Sequence, residues 1–324
     1  MPPSLTLLAV LAVVAWPLAC GGRELTGSVV VSGSSTVEPI TIRVAELFND
    51  REPTIDMLVD GPGTGDGFEL FCNGETDIND ASSRIEPEQL EECAANGVEP
   101  IELPIGNDGI AVMTSAGNDS VDCLALEDLY ALVGPESQGV DRWSAANGLA
   151  RELGGRDRLP DLRLDVIGPG EESGTFVSFV ELVIEDLSEA RGQVATTRPD
   201  YQASADDNVI LQGVRGSSTS LGWAGYAFAR DAEGVRLLEV DGGDGCVAPD
   251  DSTISSGEYP ISRPLFIYVN KAKAEENPAL ADFVDFYLSD EGIAAVAEVG
   301  YVPLSDEALA ATRERWRSRS TGPA

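Results

Sequence analysis

Short apolar runs alternate with stretches of helical periodicity along most of the chain, a pattern that predicts an α/β fold rather than a sandwich or a helical bundle. Val29-Val30-Val31 reads as a buried strand. It leads into Ser32-Gly33-Ser34-Ser35-Thr36, then into a helix with Pro39 in its first turn and apolar residues at Ile40, Val44, Leu47 and Phe48. Ile55 to Val59 predicts a second strand, followed by the glycine run Gly61-Pro62-Gly63-Thr64-Gly65-Asp66-Gly67. Pro87 opens a helix that Gly97 closes. Gly109 to Met113 and Leu164 to Ile167 predict further strands, and the latter meets Gly168-Pro169-Gly170-Glu171-Glu172-Ser173-Gly174-Thr175. The helix after it carries Phe176, Phe179, Val180, Val183 and Ile184 on one face. Leu265 to Val269 predicts a late strand and Pro278 to Leu288 a late helix, while the charged tail from Ala308 to Ala324 is expected to fray. There is no internal repeat.

One arrangement recurs three times: strand, then a Ser/Thr/Gly loop, then a helix N-terminus. Such a loop offers unpaired backbone N–H groups and hydroxyls with the positive end of a helix dipole behind them, which suits an oxyanion. A single loop of this kind needs no ligand, because Ser35 or Ser173 would serve equally well as a helix N-cap. Three point to a shared ligand if the fold brings them together.

The N-terminus adds an address. Leu5 to Trp16 is an apolar run too short to span a bilayer, and Pro17-Leu18-Ala19-Cys20 follows it. Residues 1–19 read as an export signal resembling that of a bacterial lipoprotein, with Cys20 the site of lipid attachment and residues 20–26 a linker. Plain secretory cleavage is the alternative, since the signal lacks an early Lys or Arg and Pro17 is unusual. Either way the mature chain works outside the cytoplasm, at the membrane only through a lipid. Cys72, Cys93, Cys123 and Cys246 then remain in an oxidising compartment, where three pairings are possible. Cys72 and Cys93 flank one short stretch and are expected to pair, leaving Cys123 for Cys246.

Charge and composition narrow the function. The chain has 324 residues, 21 Lys and Arg against 56 Asp and Glu, and a net charge of −35 with no histidine. A charge of this sign excludes nucleic acid as the main partner. Without imidazole, Ser-His-Asp and Cys-His hydrolysis and histidine-ligated metal sites are unavailable, and no metal or cofactor is expected. The acidity reads as surface adaptation, as to saline surroundings, because at about 0.15 M salt screening limits its reach to roughly 8 Å.

The residues carry a family resemblance. The segments Ser32 to Pro39, Gly61 to Phe71, Asp77 to Arg84, Gly168 to Phe179, Asp200 to Asn208, Ser262 to Val269 and Gly300 to Leu304 occur in the order found in the phosphate-binding receptor of the high-affinity phosphate ABC importer. The chain is similar to that family from about Thr26 to Ser305. The resemblance implies a two-lobed clamshell of the type II periplasmic-binding-protein kind. Lobe one would hold residues 27–104 and 261–305, and lobe two residues 110–259. The hinge would lie at 105–109 and 258–263, with 306–324 a C-terminal tail. It also implies a monomeric receptor, not an enzyme, that closes over inorganic phosphate and hands it to permease subunits.

Carried over residue by residue, the resemblance places the Ser35 hydroxyl and the Thr36 N–H on the anion, then Thr64 and Gly65, then Ser82, with Ser173, Gly174 and Thr175 from the opposite lobe. Two departures matter. Pro169 stands where many members have an arginine, and Ser82 where many have an aspartate. Arg198, with Arg84 second, is the candidate for the missing cation, each with a surface role as the alternative. Asp66 is the candidate carboxylate to accept the proton that phosphate, unlike sulfate, carries near neutrality; a solvated turn aspartate is the alternative. Two other function classes stay open: a receptor for sulfate or molybdate, and a lipid-anchored carboxylate-pair hydrolase, which would need no histidine.

Overall fold

The computed structural model of the chain describes residues 26–156, 158–171 and 173–323; the segment expected to be an export signal and Cys20 lie outside them. The first strands are β1 (Gly27–Gly33), β2 (Ile55–Asp60), β3 (Ile78–Ala81), β4 (Pro100–Ser115), β5 (Cys123–Ala125), β6 (Asp165–Gly168) and β7 (Gln202–Ala203). After them come β8 (Ser220–Gly225), β9 (Val235–Leu237), β10 (Glu239–Asp241), β11 (Cys246–Val247), β12 (Ser262–Asn270) and β13 (Val302–Pro303). The large sheet runs β2-β1-β3-β12-β4-β8-β6-β7, and β5, β10 and β11 form a small separate sheet.

β4 is the strand that both halves share. Residues 100–109 pair antiparallel with β12, and from Ile110 onward the strand pairs instead with β8. The first half is built on β1, parallel to both β2 and β3, with Val29 and Val31 buried against Ile40, Val44 and Phe48 of α1 (Glu38–Asn49). The second half packs around Ile110, Val112, Trp143, Ile184 and Trp223, where Phe179 stacks on Trp223 at 4.7 Å. The first half has a core on each face of its sheet and the second half a core of its own, which makes two lobes; the exchange of partners between Gly109 and Ile110 marks one passage between them, and the chain returns to the first half where β12 begins. There Ile110 N–H donates to the Ile261 carbonyl at 3.0 Å, and the Tyr259 hydroxyl donates to the Ile110 carbonyl at 3.0 Å. Disulfides join Cys72 to Cys93 and Cys123 to Cys246, as the spacing suggested.

Three expectations change. The strand expected over Gly109 to Met113 is the middle of the 16-residue β4, whose Pro104 is tolerated beside a register shift at Leu265/Phe266 in β12. The glycine run is not all loop: the helix α2 (Thr64–Cys72) starts inside it. Gly67 is required there, because a Cβ would lie 2.1 Å from Asn79 Oδ1 and 2.5 Å from the Gly33 Cα. The tail does not fray over most of its length. Residues Asp306–Arg317 form a helix capped by Ser305, Trp316 is buried with its indole N–H on Asp285 at 2.6 Å, and the Thr312 hydroxyl reaches the Pro104 carbonyl.

Candidate functional site

The three Ser/Thr/Gly loops lie at the same ends of their strands. Gly33, at φ +143°, turns the chain out of β1 where a Cβ would meet the Asp80 carbonyl at 2.1 Å. The Ser34 N–H then donates to that carbonyl at 2.8 Å, and the Gly63 N–H donates to the Gly33 carbonyl at 2.9 Å. Those two bonds tie the first loop to the end of β3 and to the start of α2. Thr64 opens α2 and its hydroxyl lies 3.1 Å from that of Ser82, whose own N–H donates to Thr64 Oγ1. Ser34, Thr36 and Ser82 are buried, Ser35 and Thr64 half-buried, Gly65 and Asp66 exposed.

Local bonds use some of the expected donors. The Thr36 N–H, the donor expected of that residue, is held by Ser34 Oγ at 3.2 Å. In the opposite lobe Ser173 caps the helix Gly174–Phe179 by accepting from the Thr175 N–H at 3.2 Å. The cap role is therefore real for Ser173, while α1 has Val37 at its cap position and no side-chain cap.

The two lobes meet at Arg263, at the start of β12. Its Nη2 donates to the Thr36 hydroxyl of lobe one at 3.1 Å and to the Ser178 hydroxyl of lobe two at 2.9 Å. Those two hydroxyls are 3.4 Å apart. Nη1 of the same guanidinium bonds Glu181 at 2.6 Å, and Nε faces Asp108 Oδ2 across 3.6 Å, too far for a hydrogen bond. Glu181 lies on a π-helical turn, Val180–Ile184, that interrupts the helix. Burial raises the Asp108 pKa, opposed by Arg263 and the Ser178 hydroxyl, with the Glu181 charge adding to the rise. Tyr301, whose hydroxyl is 3.6 Å from where a Cβ on Gly174 would stand, has its own pKa raised by burial and then by the Asp108 charge.

Arg198 and Arg84 are committed elsewhere. Arg198 is buried, forked onto Asp200 at 2.7 and 2.9 Å, and also bonds the Leu132 and Val140 carbonyls. Arg84 pairs with Glu102 at 2.6 Å and lies over the Phe266 ring. Arg263, Ser178, Asp108 and Tyr301 went unselected in the sequence. Arg263, Tyr301 and Ser178 all fall inside segments matched to the family, Ser178 three residues, one helical turn, after Thr175.

A family model described as the PBP superfamily domain matches residues 21–291. The chain belongs to this superfamily. Protein SphX of Synechocystis is 40% identical over 294 residues, covering 90% of this chain and 82% of that protein. The phosphate-binding protein PstS of Staphylococcus saprophyticus is 30% identical over 294 residues, covering 88% of this chain and 85% of its own. Within the superfamily, then, the chain falls in the group that holds PstS and SphX. The structure of a possible phosphate binding protein from Planctomyces limnophilus superposes with a TM-score of 0.80 at 34% identity, over 91% of this chain and 99% of that one. PstS from Borrelia burgdorferi, at 22% identity and a TM-score of 0.62, shares the fold. The PBP match reaches into both lobes and stops before the C-terminal helix.

Proposed function

We propose that this PBP superfamily member binds inorganic phosphate outside the cytoplasm and delivers it to the permease of an ABC importer. The observation that carries the reading is Arg263, whose one guanidinium nitrogen joins a hydroxyl from each lobe at the crossing. A small tetrahedral anion held there is seen by both halves at once, so its binding favours the closed arrangement. The anion is bound by the Thr36 and Ser178 hydroxyls and Arg263, with Ser35, Thr64, Gly65 and Ser82 on one side and Ser173, Gly174 and Thr175 on the other. Arg263 takes the role first sought in Arg198 and Arg84, because its guanidinium bonds a hydroxyl from each lobe, whereas Arg198 is forked onto Asp200 within lobe two and Arg84 pairs with Glu102. No catalytic step belongs to this reading. The protein acts as a monomer tethered through a lipid on Cys20.

Calorimetric titration and thermal melts with phosphate, sulfate and molybdate test it. Phosphate alone should raise the melting temperature strongly through mass action on the native state. Arg263→Gln should weaken phosphate binding about a hundredfold or more, as expected for loss of two charge-assisted hydrogen bonds. An equal shift with sulfate, or phosphate binding that Arg263→Gln leaves unchanged, refutes the reading.

A further inference from the structure

We propose that the Cys123–Cys246 bridge is a thiol-exchange site, in which a small external thiol takes Cys123 and Arg156 receives the sulfur of Cys246 as it leaves. This goes beyond the phosphate reading and does not depend on what the cleft between the lobes holds. The two bridges of the chain stand in opposite surroundings. Cys72 and Cys93 are fully buried, in a core with Phe68, Phe71 and Tyr268. Cys123 and Cys246 are each partly exposed, on β5 and β11 of the small sheet. These are the outer strands of that sheet, with β10 between them, and β11 has only two residues. Cys123 borders a cavity of about 400 Å³ whose wall also carries Asp122, Arg156, Arg158 and Leu159.

Arg156 is fixed against one sulfur of the bridge. Its Nη1 donates to Cys246 Sγ at 3.0 Å and to Asp241 Oδ2 at 3.1 Å. Asp241 is itself held, because its Oδ1 accepts from the Gly243 and Gly245 N–H groups at 2.9 and 3.0 Å. At the other end, the Arg156 backbone N–H donates to the buried Asp128 at 3.2 Å. A guanidinium N–H is therefore aimed at Cys246. Glu239 acts against it, since a carboxylate oxygen lies within 4.8 Å of both sulfurs. That residue is exposed, and water weakens its charge more than that of a donor in direct contact. Asp122, on the cavity wall, is paired with Arg236 at 2.9 Å.

Exchange is a displacement at sulfur. The external thiol gives its proton to solvent, and its thiolate attacks Cys123 Sγ. A new S–S bond forms to Cys123 as the Cys123–Cys246 bond breaks, and the electron pair of that bond leaves on Cys246. The products are a mixed disulfide on Cys123 and a Cys246 thiolate. A second external thiol then attacks the mixed disulfide: the two external sulfurs join as a disulfide, and both cysteines are left reduced. A thiolate of lower pKa leaves faster, and an adjacent guanidinium lowers the pKa of a thiol. The cavity opens the way to Cys123, and Arg156 favours departure of Cys246, so access and charge select the same direction of attack.

The experiment incubates the folded full chain with excess 2-mercaptoethanol at about pH 8, near an ordinary thiol pKa. Samples are quenched over time with N-ethylmaleimide and mapped by peptide mass spectrometry. In the wild type, mercaptoethanol should appear on Cys123 and maleimide on Cys246, while the Cys72–Cys93 bridge stays intact. Arg156→Gln should slow the reaction about threefold or more. If access alone governed, loss of the tie between Arg156 and Asp241 would loosen the site and speed the reaction, so the direction of the change separates the two causes. Both bridges opening together, an adduct chiefly on Cys246, or a rate that Arg156→Gln leaves unchanged or raises overturns the proposal. Should the variant fail to fold, the wild-type map decides: an adduct on Cys123 with the other bridge intact supports the proposal, and any other pattern overturns it.

Discussion

Asp80 is a buried acid immediately behind the first anion loop, and neutralising it has a calculable effect. The side chain is fully buried, neither oxygen has a protein hydrogen-bond partner among the described residues, and its own carbonyl holds the Ser34 N–H. Burial pushes its pKa from 3.8 up to about 8; the Glu38 charge adds to the rise and the Thr41 hydroxyl opposes it. In the folded state the acid stays neutral until about pH 8, whereas in the unfolded chain it ionises near pH 4. Between those values the unfolded state holds fewer protons, so stability falls as pH rises and levels off above the folded pKa. Asp80→Asn is uncharged at every pH and lacks this slope. From pH 5 to pH 8 the variant should gain on the wild type by at most about 4 kcal/mol, three pH units at about 1.4 kcal/mol each.

Urea unfolding of both proteins across that range measures the effect, with equal m-values required before the free energies are compared. The fixed cost of placing an amide in this site is the same at both pH values and cancels in the difference. So do all other titrating groups, which the two proteins share. A variant-minus-wild-type difference that stays flat from pH 5 to pH 8 would refute a neutral, buried Asp80.

Three further outcomes follow from other parts of the fold. Trp316→Ala should cost about 3–5 kcal/mol in unfolding free energy, the range for a buried large aromatic, and an effect under about 1 kcal/mol would mean that the C-terminal helix does not dock. Replacing both cysteines of the Cys72–Cys93 bridge should cost about 3 kcal/mol, and of the Cys123–Cys246 bridge about 5 kcal/mol, because the second closes 123 residues of chain against 21; the opposite ranking in denaturant melts would contradict this. The net charge of −35 should slow phosphate association at low salt, so stopped-flow rates should rise as sodium chloride increases from about 0.01 to about 0.15 M. A rate independent of salt would show that the field does not reach the cleft.

The lobe architecture was legible where apolar spacing is regular. Val29 to Val31 and the Ile40, Val44, Phe48 face produced β1 and α1 as expected. β4 was only partly legible, because Pro104, Gly106 and Gly109 interrupt its apolar run; its pairing with β12 over Pro100 to Gly109 comes from a partner more than 150 residues away. The C-terminal helix was missed because its apolar stripe is thin: Leu309 and Trp316 carry it, and the rest of the contact is made by Thr312 and Arg313 on backbone carbonyls. The hydroxyl loops stood out because their residue types are clustered in sequence. Asp108 and Arg263 did not, since Asn107-Asp108-Gly109 reads locally as a turn and only the pairing of β4 with β12 places Asp108 opposite Arg263.

That placement also resolves how so acidic a chain can be built to hold an anion. Around the crossing, one guanidinium stands between two carboxylates, Asp108 and Glu181, so the neighbourhood has no surplus of positive charge. A surplus would attract phosphate, sulfate and chloride alike, because Coulomb attraction reads charge and not protonation. With the charge locally offset, selection in the proposed site passes to groups that read direction: the hydroxyls of Thr36 and Ser178 and the guanidinium nitrogens. On this view the negative surface slows the approach of phosphate from a distance without deciding which anion stays. In the proposed site the choice is made within hydrogen-bonding reach of Arg263.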